Sequence, residues 1–257
     1  MILLLYILPG ASLYYFQKKL IFHPVALAAD YKFNFDVPFE EIKIPVKKDE
    51  LLSAVLFKSA APKGIVIYFH GNARNISFYA SKTTDFTRNG YDVLMMDYPT
   101  YGKSTGKLVE EKFYEDALLM YTFARKRFSP DSIVIYGRSL GTAVATQLAG
   151  VRDCKQLILE APYYSMSDMA RRFAPIFPYS LMLEYRFPTN EFIGQVNAPI
   201  TIIHGTKDRT VPMASGKKLS ALLKPGDKFI PIEGADHNDL EKFTRFHEAL
   251  DNALKNY

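Results

Sequence analysis

From residue 30 onwards the chain alternates between two hydrophobic rhythms. Short, continuous apolar runs rich in β-branched residues, "GIVIYF" (64–69), "YDVLMMD" (91–97), "SIVIYG" (132–137), "QLILEA" (156–161), "PITIIHG" (199–205) and "KFIPIEG" (228–234), each end in loop residues. A run with no polar face to turn to water predicts a strand covered on both sides. Between them lie stretches such as "EEKFYEDALLMYTFARKRF" (110–128), where Phe113, Ala117, Met120, Tyr121 and Ala124 recur at helical spacing. Upstream, "EEIKIPV" and "LLSAVLFKS" read as a leading hairpin. The pattern predicts an α/β fold: a mainly parallel, eight-stranded sheet with helices on both faces. In such sheets ligands bind beyond the carboxyl ends of the strands, so the chemistry should lie just after these runs.

The chain has 257 residues, 48% of them hydrophobic, enough for one large domain; no linker or repeat divides it, and the domain is assigned to 26–257. Residues 1–25 differ. "MILLLYILPGASLYYF" carries no charged side chain and is followed by Gln17, Lys18 and Lys19. The positive charge follows the apolar stretch instead of preceding it, which argues against a cleaved signal. Two readings stand: an apolar helix packed on the domain, or a single membrane anchor. The anchor is the expectation adopted, with the domain on the cytoplasmic side by the two lysines, although fifteen helical residues reach only about 22 Å. The net charge of +5 suits an anionic surface, but Lys and Arg are dispersed, so nucleic acid is not an expected partner. The single cysteine, Cys154, cannot make an internal disulfide. Neither metal-ligand clusters nor a phosphate loop occur, and no metal or cofactor is expected.

Ser139 sits in "GRSLG", where the run "SIVIY" gives way to the helix-like "TAVATQLAG". A serine on a tight strand-to-helix turn needs little bulk beside it, and Gly137 and Gly141 meet that need. A serine hydroxyl also needs a base. Of five histidines, His23 is far upstream, His70 and His204 end strand runs, and His247 lies in a probable terminal helix. His237, in the loop "IEGADHNDL" after the last run, can reach across the sheet. The base in turn needs an anion: Asp208, in "IIHGTKDRTVP", is preferred, with Glu160, Asp97 and Asp236 as rivals. The backbone N–H groups of Leu140 and Asn72 are the expected oxyanion donors, the latter in "YFHGNARN".

"FHGN", "DYPTYGKSTG", "GRSLG", "HGTKDRTVP" and "GADHN", in that order, resemble the α/β-hydrolase superfamily, and more narrowly its membrane-tethered Bem46-like branch of serine hydrolases; "YYFQKKLIFHP" is similar to the segment leading into that branch's domain. The resemblance implies a Ser139–Asp208–His237 triad with Leu140 and Asn72 as donors. It leaves the substrate open among esters, thioesters and peptides. A segment over about 162–197, inserted between the sixth and seventh strands, carries many apolar side chains and reads as a small cap. Phe173, Phe177 and Met182 are taken from it as candidate substrate contacts. The expected activity is cleavage of carboxylic esters or thioesters of apolar acyl groups through an acyl-enzyme, with a small-molecule or lipid-like substrate and the membrane as partners. A serine peptidase or amidase of the same fold, and a membrane-tethered binding protein without turnover, are the alternatives.

Overall fold

The computed structural model describes residues 2–255; Met1, Asn256 and Tyr257, included in the two sequence segments above, lie outside the described residues. Eight strands form the central sheet: β1 (Phe39–Lys47), β2 (Glu50–Phe57), β3 (Gly64–Phe69), β4 (Tyr91–Met96), β5 (Ile133–Arg138), β6 (Gln156–Glu160), β7 (Ile200–Gly205) and β8 (Lys228–Ile232). Their order is β8-β7-β6-β5-β3-β4-β2-β1, with β1 and β2 antiparallel and β3 to β8 parallel. The central strands are buried along their whole length, whereas β1, at the edge, alternates between buried and exposed positions. This matches the distinction between continuous apolar runs and the mixed "EEIKIPV".

Five longer helices accompany the sheet: α1 (Ile2–Ile21), α2 (Glu110–Arg125), α3 (Gly141–Val151), α4 (Met213–Ser220) and α5 (Thr244–Lys255). Two apolar cores result, one on each face of the sheet. One gathers Phe113, Met120 and Val144 with Ile67 and Ile135; the other gathers Phe246 and Leu250 with Val66 and Val134. Adjacent residues of one strand therefore feed opposite cores, as the two-residue period of a strand demands. Chain order reverses about β3, whose neighbours are β4 on one side and β5 on the other. The carboxyl ends of β3 and β5 are paired, Phe69 opposite Gly137, and this switch point is where the site lies.

A membrane anchor is the expectation for the segment 1–25. Residues 2–21 are helical, but no helix among the described residues is long and apolar enough to cross a membrane. Helix α1 instead lies against the segment that follows β6. The Tyr6 ring stacks on Phe177 with centroids 5.0 Å apart, and the Tyr6 hydroxyl donates to the Ile176 carbonyl at 3.1 Å. Gln17 is buried at 4% exposure. Its Nε2 donates to the carbonyls of Tyr14 and Met182, and its Oε1 accepts the Glu184 N–H at 2.9 Å.

Candidate active site

Ser139 stands between the end of β5 and the start of α3 with φ of +51°. A left-handed backbone at a residue with a Cβ costs roughly 1–2 kcal/mol, so the surroundings must hold it. The Ser139 N–H donates to the Glu160 carbonyl at 2.9 Å. The Ser139 carbonyl accepts from the backbone and hydroxyl of Thr142 at 2.9 and 2.6 Å. A Cβ at Gly137 would overlap the Gly141 carbonyl oxygen, and one at Gly141 would overlap the carbonyl of Phe69 in β3. The two glycines are thus space requirements of the turn. Gly141→Ala is expected to lower stability by about 1–3 kcal/mol through overpacking against backbone, measured as a lower urea midpoint with an unchanged slope.

The structure brings Ser139, His237 and Asp208 together. His237 Nε2 is 3.0 Å from Ser139 Oγ, and Nδ1 is 2.7 Å from Asp208 Oδ2. A carboxylate only accepts, so Nδ1 carries a proton; in the neutral tautomer Nε2 is then the acceptor turned to the hydroxyl. Asp208 reaches this position from the loop after β7. Its Oδ1 accepts the N–H groups of Thr210 and Val211 at 2.9 and 2.7 Å, and His204 Nε2 lies 3.5 Å from Oδ2. Burial alone would raise the Asp208 pKa, but hydrogen bonds from His204, His237 and Val211 with the charge of His237 override it and hold the carboxyl at about 2. All three side chains are buried.

The rival carboxylates are occupied elsewhere. Glu160 Oε1 accepts from Arg138 Nε at 2.8 Å, and its other oxygen accepts from the Tyr136 hydroxyl. Arg138, on the residue before the nucleophile position, also donates to the carbonyl of His237 at 2.9 Å and to Asn238 Oδ1 at 3.2 Å. Burial acts to lower the Arg138 pKa, but the Glu160 carboxylate beside it raises it well above the ordinary range. This ion pair ties the His237 loop to β6, a role that the bare spacing "GRSLG" does not announce. Asp97 accepts the Ile76 N–H at 2.9 Å and lies 3.4 Å from His70 Nε2. Asp236 is engaged by Arg209 through Nε and the backbone.

Leu140 and Asn72 line the same cavity as Ser139. Gly71 packs against Ser139, for a Cβ there would stand 3.7 Å from the Ser139 Cβ. Asn72 is fixed by three bonds: its Nδ2 donates to the Ile21 carbonyl at 2.7 Å, and its carbonyl accepts from His23 N–H at 2.9 Å and the Tyr101 hydroxyl at 2.6 Å. The cavity has a volume of about 480 Å³ and an apolar lining that includes Met166, Met169, Tyr163 and Leu183. Of the candidate substrate contacts, Phe173 lines it. Phe177 and Met182 do not. Phe177 is turned towards Tyr6 and Gly10 of α1, and Met182 contacts α1 through its carbonyl. Conversely, Leu13, Gln17, Leu20 and Ile21 of α1 line the cavity; Gln17 among them and Lys18 and Lys19 beside them hid this stripe in the sequence.

Residues 60–192 match the family described as "Serine aminopeptidase, S33". The chain is 30% identical over 205 residues to the human alpha/beta hydrolase domain-containing protein 17C, covering 76% of this chain and 60% of that protein. It is 34% identical over 175 residues to human protein ABHD12B, covering 60% of this chain and 48% of that protein. The chain spans about three fifths of the length of the 17C relatives it matches. Among solved structures, an esterase of Pyrococcus furiosus superposes with a TM-score of 0.70 at 18% identity, covering 90% of this chain and 99% of that one. A monoacylglycerol lipase of Paleococcus ferrophilus does so with a TM-score of 0.61 at 18% identity, covering 79% and 98%. These two show the shared fold. The chain belongs to the α/β-hydrolase superfamily, and its architecture is the α/β-hydrolase fold.

Proposed function

We propose that this chain is a serine hydrolase that cleaves carboxylic ester or thioester bonds of apolar acyl substrates through an acyl-enzyme. The observation that carries this reading is the relay Ser139–His237–Asp208, with separations of 3.0 and 2.7 Å, opening on an apolar cavity. In this reading His237 Nε2 takes the Ser139 proton as Oγ attacks the carbonyl carbon, and Asp208 stabilises the imidazolium that forms. The oxyanion is received by the N–H groups of Leu140 and Asn72, with the N-terminus of α3 behind them. His237 then returns the proton to the departing alcohol or thiol. Water, deprotonated by the same nitrogen, attacks the acyl-Ser139 carbonyl, and the collapse of the second tetrahedral species frees the acid.

The aminopeptidase name of the matched family suggests a second reading, amide cleavage. Binding a substrate's free ammonium calls for an anion, and the residues lining the cavity comprise neither Asp nor Glu. That lining favours an uncharged acyl group. The surface beside the cavity supports action at a lipid surface: Leu8 and Phe16 of α1 and Phe173, Ile176 and Leu181 are exposed, with the exposed Lys18, Lys19, Arg171 and Arg172 among them. This combination suits contact in the plane of an anionic bilayer rather than a crossing.

A panel of p-nitrophenyl esters of graded chain length, a thioester and an aminoacyl amide, each presented free and in anionic vesicles, tests the reading, with a separate sample labelled by a fluorophosphonate. Labelling and a rise in kcat/KM of at least about tenfold from acetate to a medium acyl chain are expected, on the scale of ~1–3 kcal/mol per well-buried apolar increment. Preference for the aminoacyl amide would establish the peptidase, and absence of labelling would leave a binding protein.

A further inference from the structure

Helix α1 meets the site twice. Leu13, Gln17, Leu20 and Ile21 line the cavity that holds Ser139, and Leu13, Leu20 and Ile21 stand four, three and four residues from Gln17, which places them around it on one helical face. At its C-terminal end, the Ile21 carbonyl accepts from the Asn72 side chain at 2.7 Å, and the next turn of chain pairs His23–Pro24 in parallel with Ala73–Arg74. The loop bearing the second oxyanion donor is therefore held from the N-terminal segment. The helix is seated by specific contacts: Tyr6 on Phe177, the three bonds of Gln17, and Gly10, where an added Cβ would stand 3.0 Å from the Phe177 ring. A helix serving only as a tether needs neither a buried glutamine nor a bond to Asn72.

We infer that α1 is a working wall of the acyl site: its inner stripe selects the acyl chain, and its last carbonyl positions Asn72. The inference rests on the hydrolase reading for its kinetic form. The chemical class selected is an uncharged, apolar acyl chain, since Leu13, Leu20 and Ile21 line the cavity together with Met166, Met169 and Leu183. Gln17 adds no charge there, and its donors and acceptor are used on backbone groups, so it latches the wall and leaves the chain an apolar surface. Asn72 is a catalytic residue of the proposed mechanism through its N–H, and Ile21 acts on the reaction only by holding it.

The test uses the full chain. Leu13→Trp fills the cavity and is expected to lower the ratio of kcat/KM for p-nitrophenyl dodecanoate over butyrate by about tenfold or more, and Leu13→Ala to raise the hexadecanoate over dodecanoate ratio by about threefold or more. Tyr15→Ser, on the exposed outer face, is expected to keep both ratios within about twofold of the parent. Asn72→Ala keeps the backbone donor and the two bonds to its carbonyl but removes the bond to Ile21, so kcat is expected to fall about tenfold while KM changes by less than about twofold. Ratios unmoved by either Leu13 substitution in folded protein, an effect of Tyr15→Ser as large as that of Leu13→Trp, or an unmoved kcat in Asn72→Ala overturns the inference. Calorimetric titration with dodecanoate separates it from the hydrolase reading. If the parent turns over no ester yet binds dodecanoate about tenfold more tightly than Leu13→Trp, the selecting wall stands and the reaction assignment falls; equal binding removes the wall itself.

Discussion

Ser139→Ala is expected to abolish fluorophosphonate labelling and to lower ester turnover by at least several hundredfold, with the folded structure retained. The size follows from the mechanism: without Oγ there is no acyl-enzyme, and what remains is the oxyanion donors acting on an attacking water. Retention of the fold follows from the local geometry. The substitution removes one oxygen whose partner is His237 Nε2 at 3.0 Å; the N–H bond to Glu160 and the carbonyl bonds to Thr142 are untouched. The left-handed φ of +51° is as strained with alanine as with serine, so the strain cancels in the comparison. Unfolding midpoints of the two proteins should agree within about 1 kcal/mol, while their rates separate. A variant keeping more than about a tenth of the parent's turnover would remove Ser139 from the nucleophile's role, because a triad nucleophile does not leave so little behind.

The strands were readable because the central sheet asks one thing of each: an apolar run without a wet face. "GIVIYF" became β3 and "SIVIYG" all but one residue of β5 on those terms. Ser139, Asp208 and His237 were separated in sequence but each followed such a run, so the topology rule placed them at one edge before any distance was known. What sequence could not disclose depends on pairing across long separations. Glu160 reads as a strand-end acid like Asp208, and only the pairing of β5 with β6, which sets Arg138 directly opposite Glu160, shows that its oxygens are taken, by Arg138 and Tyr136. Phe177 and Met182 read as cavity residues because hydrophobicity does not say which neighbour a side chain meets; their neighbour is α1. In helix α1 the residues that meet the cavity, Leu13, Gln17, Leu20 and Ile21, include a polar side chain and are interrupted by Lys18 and Lys19, so no apolar periodicity marks the stripe that faces protein.

Asp208→Asn is expected to lower kcat by about a thousandfold or more, with the fold retained and KM little changed. The amide can still accept the Thr210 and Val211 N–H groups through its oxygen, which keeps the loop in place. Its NH₂ then faces His237 Nδ1 and donates to it, forcing the ring proton onto Nε2. Ser139 loses its base in favour of a donor. Acid stability gives an independent readout. The folded Asp208 carboxyl sits at about 2, below the roughly 3.9 of an unfolded chain. A depressed pKa contributes stability that is complete above the unfolded value and is lost as pH falls through the folded one. Its extent is about 2 kcal/mol at ~1.4 kcal/mol per unit. The variant does not titrate there, so the stability difference between parent and Asp208→Asn should narrow by about that amount as pH falls from about 5 to about 2. Glu160→Gln should show the opposite balance. It leaves Arg138 buried against a neutral amide, and losing one partner of such a pair costs about 3–5 kcal/mol, while the His237–Asp208 bond of 2.7 Å is untouched. Unfolding in urea at several pH values, set beside kcat for both variants, separates the two acids: a thousandfold loss of kcat in Glu160→Gln with little change in Asp208→Asn would transfer the role to Glu160.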